Sequence, residues 1–413
     1  MKIIKKLVAV ASALAIAATT LTTTAFAAST DTSKPYGKIY NACGKTRIET
    51  LYSADVAITF QAALKDTPNN SFKHYQNYAH KDVAGVVLVN QTDIDSLYSA
   101  SMLCQYYNCV LIFADDTTWA HAALLNNTDK KNTFNIFTLS TGKNSISNDV
   151  INNIKRYNKN SVKTKVTKIT GSNKIDTNTK VLNYILKNKN SNELKNQSDT
   201  TICIINQNSY SDIASAYNFV SPYYTDTNIL YMLVSNKLTN DQKTLLRSLG
   251  RPEDIPAAAG PVYPYRFKFF GSAINLINSV KSTMRTTEDF YFKKIVGKDR
   301  YTTNLATISE YSDGTLDEIT VKRIISYLSD KEIFLVDGTS EVDCLITACT
   351  MAVCDKYPTK VLLINKSNPK VINNINASLK TAKVKTITSN NYNTIKNSSI
   401  FIAIGTAGNY AKL

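Results

Sequence analysis

Short, continuously apolar runs recur along the chain in pairs. Val86-Val87-Leu88-Val89 is followed by Val110-Leu111-Ile112-Phe113, Ile202-Cys203-Ile204-Ile205 by Ile229-Leu230-Tyr231-Met232, and Ile333-Phe334-Leu335-Val336 by Val361-Leu362-Leu363-Ile364. Such runs are rich in β-branched residues, too short for a buried helix, and apolar on both faces, so they predict strands of a covered parallel sheet. Between the members of each pair lies a polar loop ending in Asp95, Asp212 or Asp343. An Ala/Ser-rich helical run follows: Ser99-Ala100-Ser101-Met102, Ala214-Ser215-Ala216 or Thr347-Ala348-Cys349-Thr350. Strands alternating with helices, joined by right-handed crossovers, predict small doubly wound α/β units.

A second pattern repeats upstream of each pair. Gly44-Lys45-Thr46-Arg47-Ile48-Glu49-Thr50, Gly171-Ser172-Asn173-Lys174-Ile175-Asp176-Thr177 and Gly297-Lys298-Asp299-Arg300-Tyr301-Thr302-Thr303 share one layout, with glycines 127 and 126 residues apart. Each segment follows a β-like run (Lys38-Ile39-Tyr40, Lys165 to Ile169, Lys294-Ile295-Val296) and precedes a helix-like one. Glycine suits a sharp strand-to-helix turn through its tolerance of positive φ, and Thr50, Thr177 and Thr303 suit helix starts. Self-similarity at this period divides the chain into residues 28–160, a degenerate copy at 161–288, and 289–413. The Asn/Lys-rich stretch 158–165 reads as a boundary between copies, and 187–199 as a loop inside the second.

Residues 1–27 read as an export signal: Lys2, Lys5 and Lys6 precede an apolar run from Leu7 to Ala18, then Ala25-Phe26-Ala27 offers a small-residue cleavage site. Cleavage there lowers the formal charge from +16 to +13, because the segment carries three lysines and no acid. No later stretch is apolar enough to span a bilayer, and the end of the chain carries no hydrophobic anchor tail. The expectation is an exported, basic protein held at the cell surface without a covalent link. A hydrophobic share of 43% with 19% charged residues excludes a disordered chain. Seven cysteines (Cys43, Cys104, Cys109, Cys203, Cys344, Cys349 and Cys354) contain no CxxC pair. They read first as small buried thiols, with a disulfide and a metal site as the alternatives.

The G-x-x-R-x-x-T turn, the strand ending in a polar loop with Asp, and the Ala/Ser helix together resemble cell wall binding repeat 2. That family occurs as three tandem copies in surface-layer and cell wall proteins of clostridia. The resemblance spans essentially the whole chain after the signal, and its best match is Ile295 to Asn304. It implies three Rossmann-like α/β units packed as a pseudo-threefold trimer within one chain. It also implies non-covalent binding to an anionic secondary wall polysaccharide in a Gram-positive anaerobe, as part of the cell wall or surface layer, with surface-layer proteins as further partners. Three sequence features depart from the family pattern. Cys109, Asn228 and Lys360 stand where Pro is common, Lys174 replaces Arg, and residues 250–270 fit poorly.

Arg47, Lys174 and Arg300, with Lys45 and Lys298 beside them, are the candidate polymer-binding cations. A cation beyond the carboxyl end of a parallel strand can pair with phosphate or carboxylate, bidentately when it is Arg. The alternative is that each braces its own turn or pairs with a nearby Asp. Gly44, Gly171, Gly297, Thr50, Thr177, Thr303, Asp95, Asp212 and Asp343 form the structural motif, the aspartates as helix caps. Gly44-Lys45-Thr46 echoes the end of a P-loop, but Ile39 stands where the earlier glycine belongs. His74, His80 and His121 pair with no nucleophile motif, and Trp119 is the single tryptophan. The expectation is a non-catalytic binding protein with no cofactor, no metal and no nucleic-acid partner. Two other classes compete with it: a wall-acting hydrolase or amidase, and a small-ligand binder using α/β clefts.

Overall fold

The computed structural model describes residues 39–41, 84–90, 92–114, 133–156, 163–188, 200–219, 229–249, 265–286, 292–309, 316–353 and 359–413. The expected export signal and the first glycine turn, with Gly44, Lys45, Arg47 and Thr50, lie outside them. So do Cys43, Cys354, Trp119 and the three histidines.

Three four-stranded sheets, all parallel, organise the described residues. The first contains β2 (Gly85–Val89), β3 (Cys109–Phe113), β4 (Phe134–Thr141) and β5 (Thr164–Gly171), in the order β3-β2-β4-β5. The second contains β6 (Thr200–Asn206), β7 (Ile229–Val234), β8 (Tyr265–Phe270) and β9 (Phe292–Ile295), ordered β7-β6-β8-β9. The third contains β10 (Glu332–Asp337), β11 (Thr359–Ile364), β12 (Ile400–Ile404) and β1 (Ile39–Asn41), ordered β11-β10-β12-β1. The order reverses direction beside the first strand of each sheet, the doubly wound pattern expected. β2 and β7 are buried along their whole lengths, as strands covered on both faces must be.

Sheet membership and sequence repeat are offset by one strand. β5 opens the second copy of the sequence motif, yet it pairs with β4 over eight residues, from Phe134↔Thr164 to Thr141↔Gly171. β9 opens the third copy and pairs with β8. β1 lies at the chain's beginning and pairs with β12 near its end, through Ile39↔Phe401, Tyr40↔Ile402 and Asn41↔Ala403. Every sheet therefore takes its fourth strand from the following copy, and the last sheet takes it from the first copy.

The helices complete a ring. They are α1 (Ile94–Tyr107), α2 (Asn148–Arg156), α3 (Lys174–Asn188), α4 (Tyr210–Ala216), α5 (Asn240–Leu249), α6 (Ile277–Met284), α7 (Arg300–Ile308), α8 (Glu318–Leu328), α9 (Glu341–Val353), α10 (Val371–Thr381) and α11 (Ser389–Ser398). α1 of the first unit packs on β7 of the second, α4 of the second on β11 of the third, and α9 of the third on β3 of the first. That cyclic relation is the pseudo-threefold packing. α1 is buried without a break from Ser96 to Cys104, as an interior helix must be, whereas α2 buries only Ile151 and Ile154 and lies at the periphery. One apolar cluster runs through all three units, joining Val87, Leu230 and Leu363 among others. Cys104, Cys109, Cys203, Cys344 and Cys349 are buried free thiols.

β7 and β11 are sheet edges buried between units, so their outward N–H groups need partners. On β7, Ile229 N donates to Gln105 Oε1 (3.1 Å), Tyr231 N to Met102 Sδ (3.4 Å), and Leu233 N to Asn178 Oδ1 (2.8 Å). On β11, Val361 N donates to Asn218 Oδ1 (2.7 Å) and Leu363 N to Asn304 Oδ1 (3.0 Å). Asn218 Nδ2 and Asn304 Nδ2 both return a hydrogen bond to Val361 O, each at 3.0 Å. The buried Lys360 ammonium donates to Asn218 O at 2.7 Å, tying the same strand to the second unit.

Asn178 and Asn304 occupy the same place in their repeats but carry different loads. Asn304 also donates to Ser215 Oγ (2.9 Å), whereas Asn178 Nδ2 is buried without a partner. Asn304→Ala is expected to lower stability by about 2–3 kcal/mol and Asn178→Ala by about 1 kcal/mol, read as midpoint shifts in urea. Equal losses at the two positions would contradict this account.

Candidate functional site

In all three units the crevice for a ligand is the gap between the first and third strands, at their carboxyl ends. The two described glycine turns deliver helices beside this end. A Cβ added at Gly171 would stand 2.3 Å from Thr177 N, and one at Gly297 would stand 2.2 Å from Thr303 N. Close approach of the helix, not positive φ, is what excludes a side chain there, which corrects the expectation from sequence. Positive φ belongs instead to Gly142, Gly271 and Gly405, which follow the third strands.

The threonines are stitched into the first helical turn rather than capping it. Thr303 Oγ1 donates to Asp299 O (2.9 Å) and accepts from Gly297 N (3.1 Å). The cap itself is Asp299, whose Oδ1 accepts from Thr302 N at 2.7 Å, while Asp299 N donates to Thr302 Oγ1 at 3.0 Å. Thr177 Oγ1 donates to Asn173 O and meets Thr141 Oγ1, both at 3.0 Å, which binds α3 to the end of β4.

Of the candidate cations, two point into the assembly. Arg300 Nη1 donates to Tyr210 Oη (2.8 Å) and to Gly338 O, and its guanidinium lies 5.3 Å from the Tyr210 ring centre. Tyr210 Oη in turn donates to Thr339 O at 3.1 Å. Arg300 therefore braces the second unit against the loop after β10 in the third. Lys174 Nζ lies 4.3 Å from the Tyr98 ring centre and 3.7 Å from Asp95 Oδ1. Tyr98 Oη donates to Glu341 Oε1 on α9, so Lys174 also sits over a contact between units. Lys298 is exposed. Arg47 and Lys45 lie outside the described residues.

The aspartates fill the crevices from within. Asp343 is fully buried and its Oδ2 accepts from Thr406 N (2.9 Å) on the turn after β12. Asp212 takes the equivalent position, its Oδ2 facing Gly271 after β8. In the first unit the carboxylate at this point is Asp93, not Asp95. Asp93 Oδ2 accepts from Thr141 N (2.6 Å) and from Ser96 Oγ (2.7 Å). Ser209…Asp212 and Ser340…Asp343 carry serine first and aspartate three residues later, and Asp93…Ser96 reverses that order. Asp95 is half exposed and pairs with Lys174. Burial pushes the Asp212 carboxyl up to about 7, against the opposing influences of the Ser209 hydrogen bond and the Arg300 charge. Burial also raises Asp343, opposed by the hydrogen bonds from Thr406.

Chemically, this arrangement ties backbone turns together. Among the described residues no group of three or more His, Cys, Asp or Glu side chains is placed to hold a metal ion. No described helix is long and apolar enough to cross a membrane. Sequence reasoning missed Asn178, Asn218 and Asn304. The only available signal for two of them was the Asn that follows the closing threonine, in Thr177-Asn178 and Thr303-Asn304.

No family model matches the sequence, and no curated protein matches it. Among solved structures the fold is similar to Cwp6 from Clostridium difficile, with a TM-score of 0.53 and 16% identity, over 91% of this chain and 48% of that one. It is also similar to Cwp8 from Clostridium difficile, with a TM-score of 0.50 and 11% identity, over 86% of this chain and 52% of that one. The chain spans about half the length of these solved structures, and at this identity the likeness is one of fold.

Two outcomes are expected from these contacts. Asp212 is protonated in the folded state up to about pH 7 but ionises near 4 when unfolded, so folding is favoured below 4 and that advantage is lost as pH rises through 7. Asp212→Asn should therefore match the wild type near pH 4 and exceed it above pH 8, by about 4 kcal/mol at most, in denaturant titrations at the two pH values. Arg300→Ala should lower the melting temperature, by scanning calorimetry, because it unties Tyr210 and Gly338. An unchanged melting temperature would show that the brace carries no weight.

Proposed function

We propose that this protein is a cell wall component that binds an anionic wall polysaccharide non-covalently, through its ring of three α/β units, and carries out no chemistry itself. The observation that carries this reading is the ring. Over most of the chain its fold is similar to those of two cell wall proteins of C. difficile, Cwp6 and Cwp8. The basic balance of the chain, with 48 Lys and Arg against 32 Asp and Glu, supports an anionic partner. An export signal at 1–27 would bring the chain to that partner.

Within the ring, the turn cations divide by role. Lys298 is exposed and available to a polymer, as are Arg47 and Lys45 on the reading of the sequence alone. Lys174 and Arg300 hold units together, so their contribution to binding is through the shape of the ring. The aspartates occupy the crevices where a small ligand would sit, which favours a surface-bound polymer over a ligand enclosed in a cleft.

Retention of the purified chain on walls before and after extraction of the secondary polymer tests the proposal. Strong retention is expected on polymer-bearing walls at low salt, with loss on extracted walls and at high salt, where exposed charges are screened within about 3 Å at 1 M. Equal retention on both wall preparations would sink the reading. Release of sugar or peptide from the walls would replace it with an enzymatic one.

A further inference from the structure

With Arg300 and Lys174 turned inward, two groups of the cations that face solvent lie on the outer strands of two sheets. β5 and the residue before it carry Lys163, Lys165 and Lys168, and β9 carries Lys293 and Lys294, all five exposed. Lys165 stands opposite Asn135 and Lys168 opposite Thr138, so strand alternation places them on opposite faces of the sheet. Lys293, opposite Lys268, and Lys294, opposite Phe269, divide between the two faces of the second sheet in the same way. Neither strand contains an acidic residue. Three other lysines are paired with carboxylates: Lys174 with Asp95, Lys180 with Asp176, and Lys385 with Glu318. Among the described residues none of the five is so paired, and Lys168 donates instead to the neutral Asn148 Oδ1 at 2.6 Å.

We infer that the outer edges of the first and second sheets, flanked by Lys163, Lys165, Lys168, Lys293 and Lys294, are the surfaces that grip the polyanion. This rests on the wall-binding reading above and assigns it a place. Each edge is a ridge with cations on both flanks, and on β5 three of them fall within about 17 Å of strand. An extended anionic chain laid along such a ridge meets positive charge on either side without entering a crevice. The outer strand of the third sheet, β1, reads Ile39-Tyr40-Asn41, and Lys38 before it lies outside the described residues, so the assignment is made for the first two sheets. A competing role for edge lysines is to block pairing with another strand, and the two roles separate experimentally.

The full chain carrying Lys→Gln at all five positions is compared with the wild type and with Lys→Arg at the same positions, on polymer-bearing and extracted walls across a salt series. The Gln variant is expected to bind polymer-bearing walls about tenfold or more weakly at low salt. Its slope of log affinity against log salt should flatten by up to about 3.5, for five lost charge contacts. The Arg variant should bind as the wild type does. Melting temperatures should match throughout, because the side chains are exposed. If the chain with five substitutions folds poorly, Lys165→Gln with Lys168→Gln and Lys293→Gln with Lys294→Gln carry the test separately. Failure of the wild type to distinguish the two wall preparations would remove the wall-binding reading itself. A wild type that distinguishes them, with a Gln variant of equal affinity and slope, would overturn only the placement. A Gln variant that self-associates on gel filtration while its monomer binds fully would also overturn it, and would leave the lysines as guards of the sheet edge.

Discussion

A parallel sheet ends in strands whose outward N–H and C=O groups have no partner, and an edge buried between domains cannot leave them to water. In this protein β7 and β11 are such edges, and side chains of the neighbouring unit satisfy them. Gln105, Met102 and Asn178 accept from β7, and Asn218 and Asn304 accept from β11 while returning bonds to Val361 O. The geometry is demanding, since a carboxamide must reach a particular backbone position across an apolar interface. Once met, it fixes how the units rotate relative to one another. The inward placement of Lys174 and Arg300, at contacts between units, follows from that rotation, whereas the crevice aspartates bond within their own units.

The offset between sequence copies and sheets acts in the same direction. β5 and β9 each complete a sheet and then lead directly into a helix, α3 or α7, that packs on the next unit's edge strand. Strand and helix are separated only by the glycine turn, so the two units are linked by a rigid joint. Gly171 and Gly297 matter because a Cβ would collide with the helix backbone. The pairing of β1 with β12 closes the ring where chain connectivity cannot. Burial then draws polar groups into structural work: Arg300 spans two units, Asp212 and Asp343 are buried as carboxyls with raised affinity for protons, and Lys360 is held by a carbonyl.

Much of the α/β alternation was legible in the sequence. The first two strands of each unit are apolar on both faces, and continuous burial leaves a continuous signature. Two of the third strands, β4 and β8, were not legible. β8 alternates Arg266 and Lys268 with aromatics, and β4 mixes Asn135, Thr138 and Ser140 into its apolar residues, because these strands border a solvated edge or a polar crevice. The site was read less well for a related reason. Asp95 was expected at the end of a polar loop but stands in the first turn of α1, and Asp93 before that turn does the work. Asp93, with Ser96 standing where the other copies have Asp212 and Asp343, reaches Thr141 N at the end of β4 instead.

The sequence by itself determined the class of fold, its threefold repetition and its basic character, since periodicity of burial and net charge are properties of local composition. Only the tertiary structure decided which copy supplies the fourth strand of each sheet. Only there does it emerge that Lys174 and Arg300 face the interior contacts between units, and that Asn178, Asn218 and Asn304 carry the interface. Backbone groups are identical at every residue, so nothing in a strand's own letters says which neighbour will satisfy them. That choice is made when distant segments meet and the buried hydrogen bonds must all be closed at once.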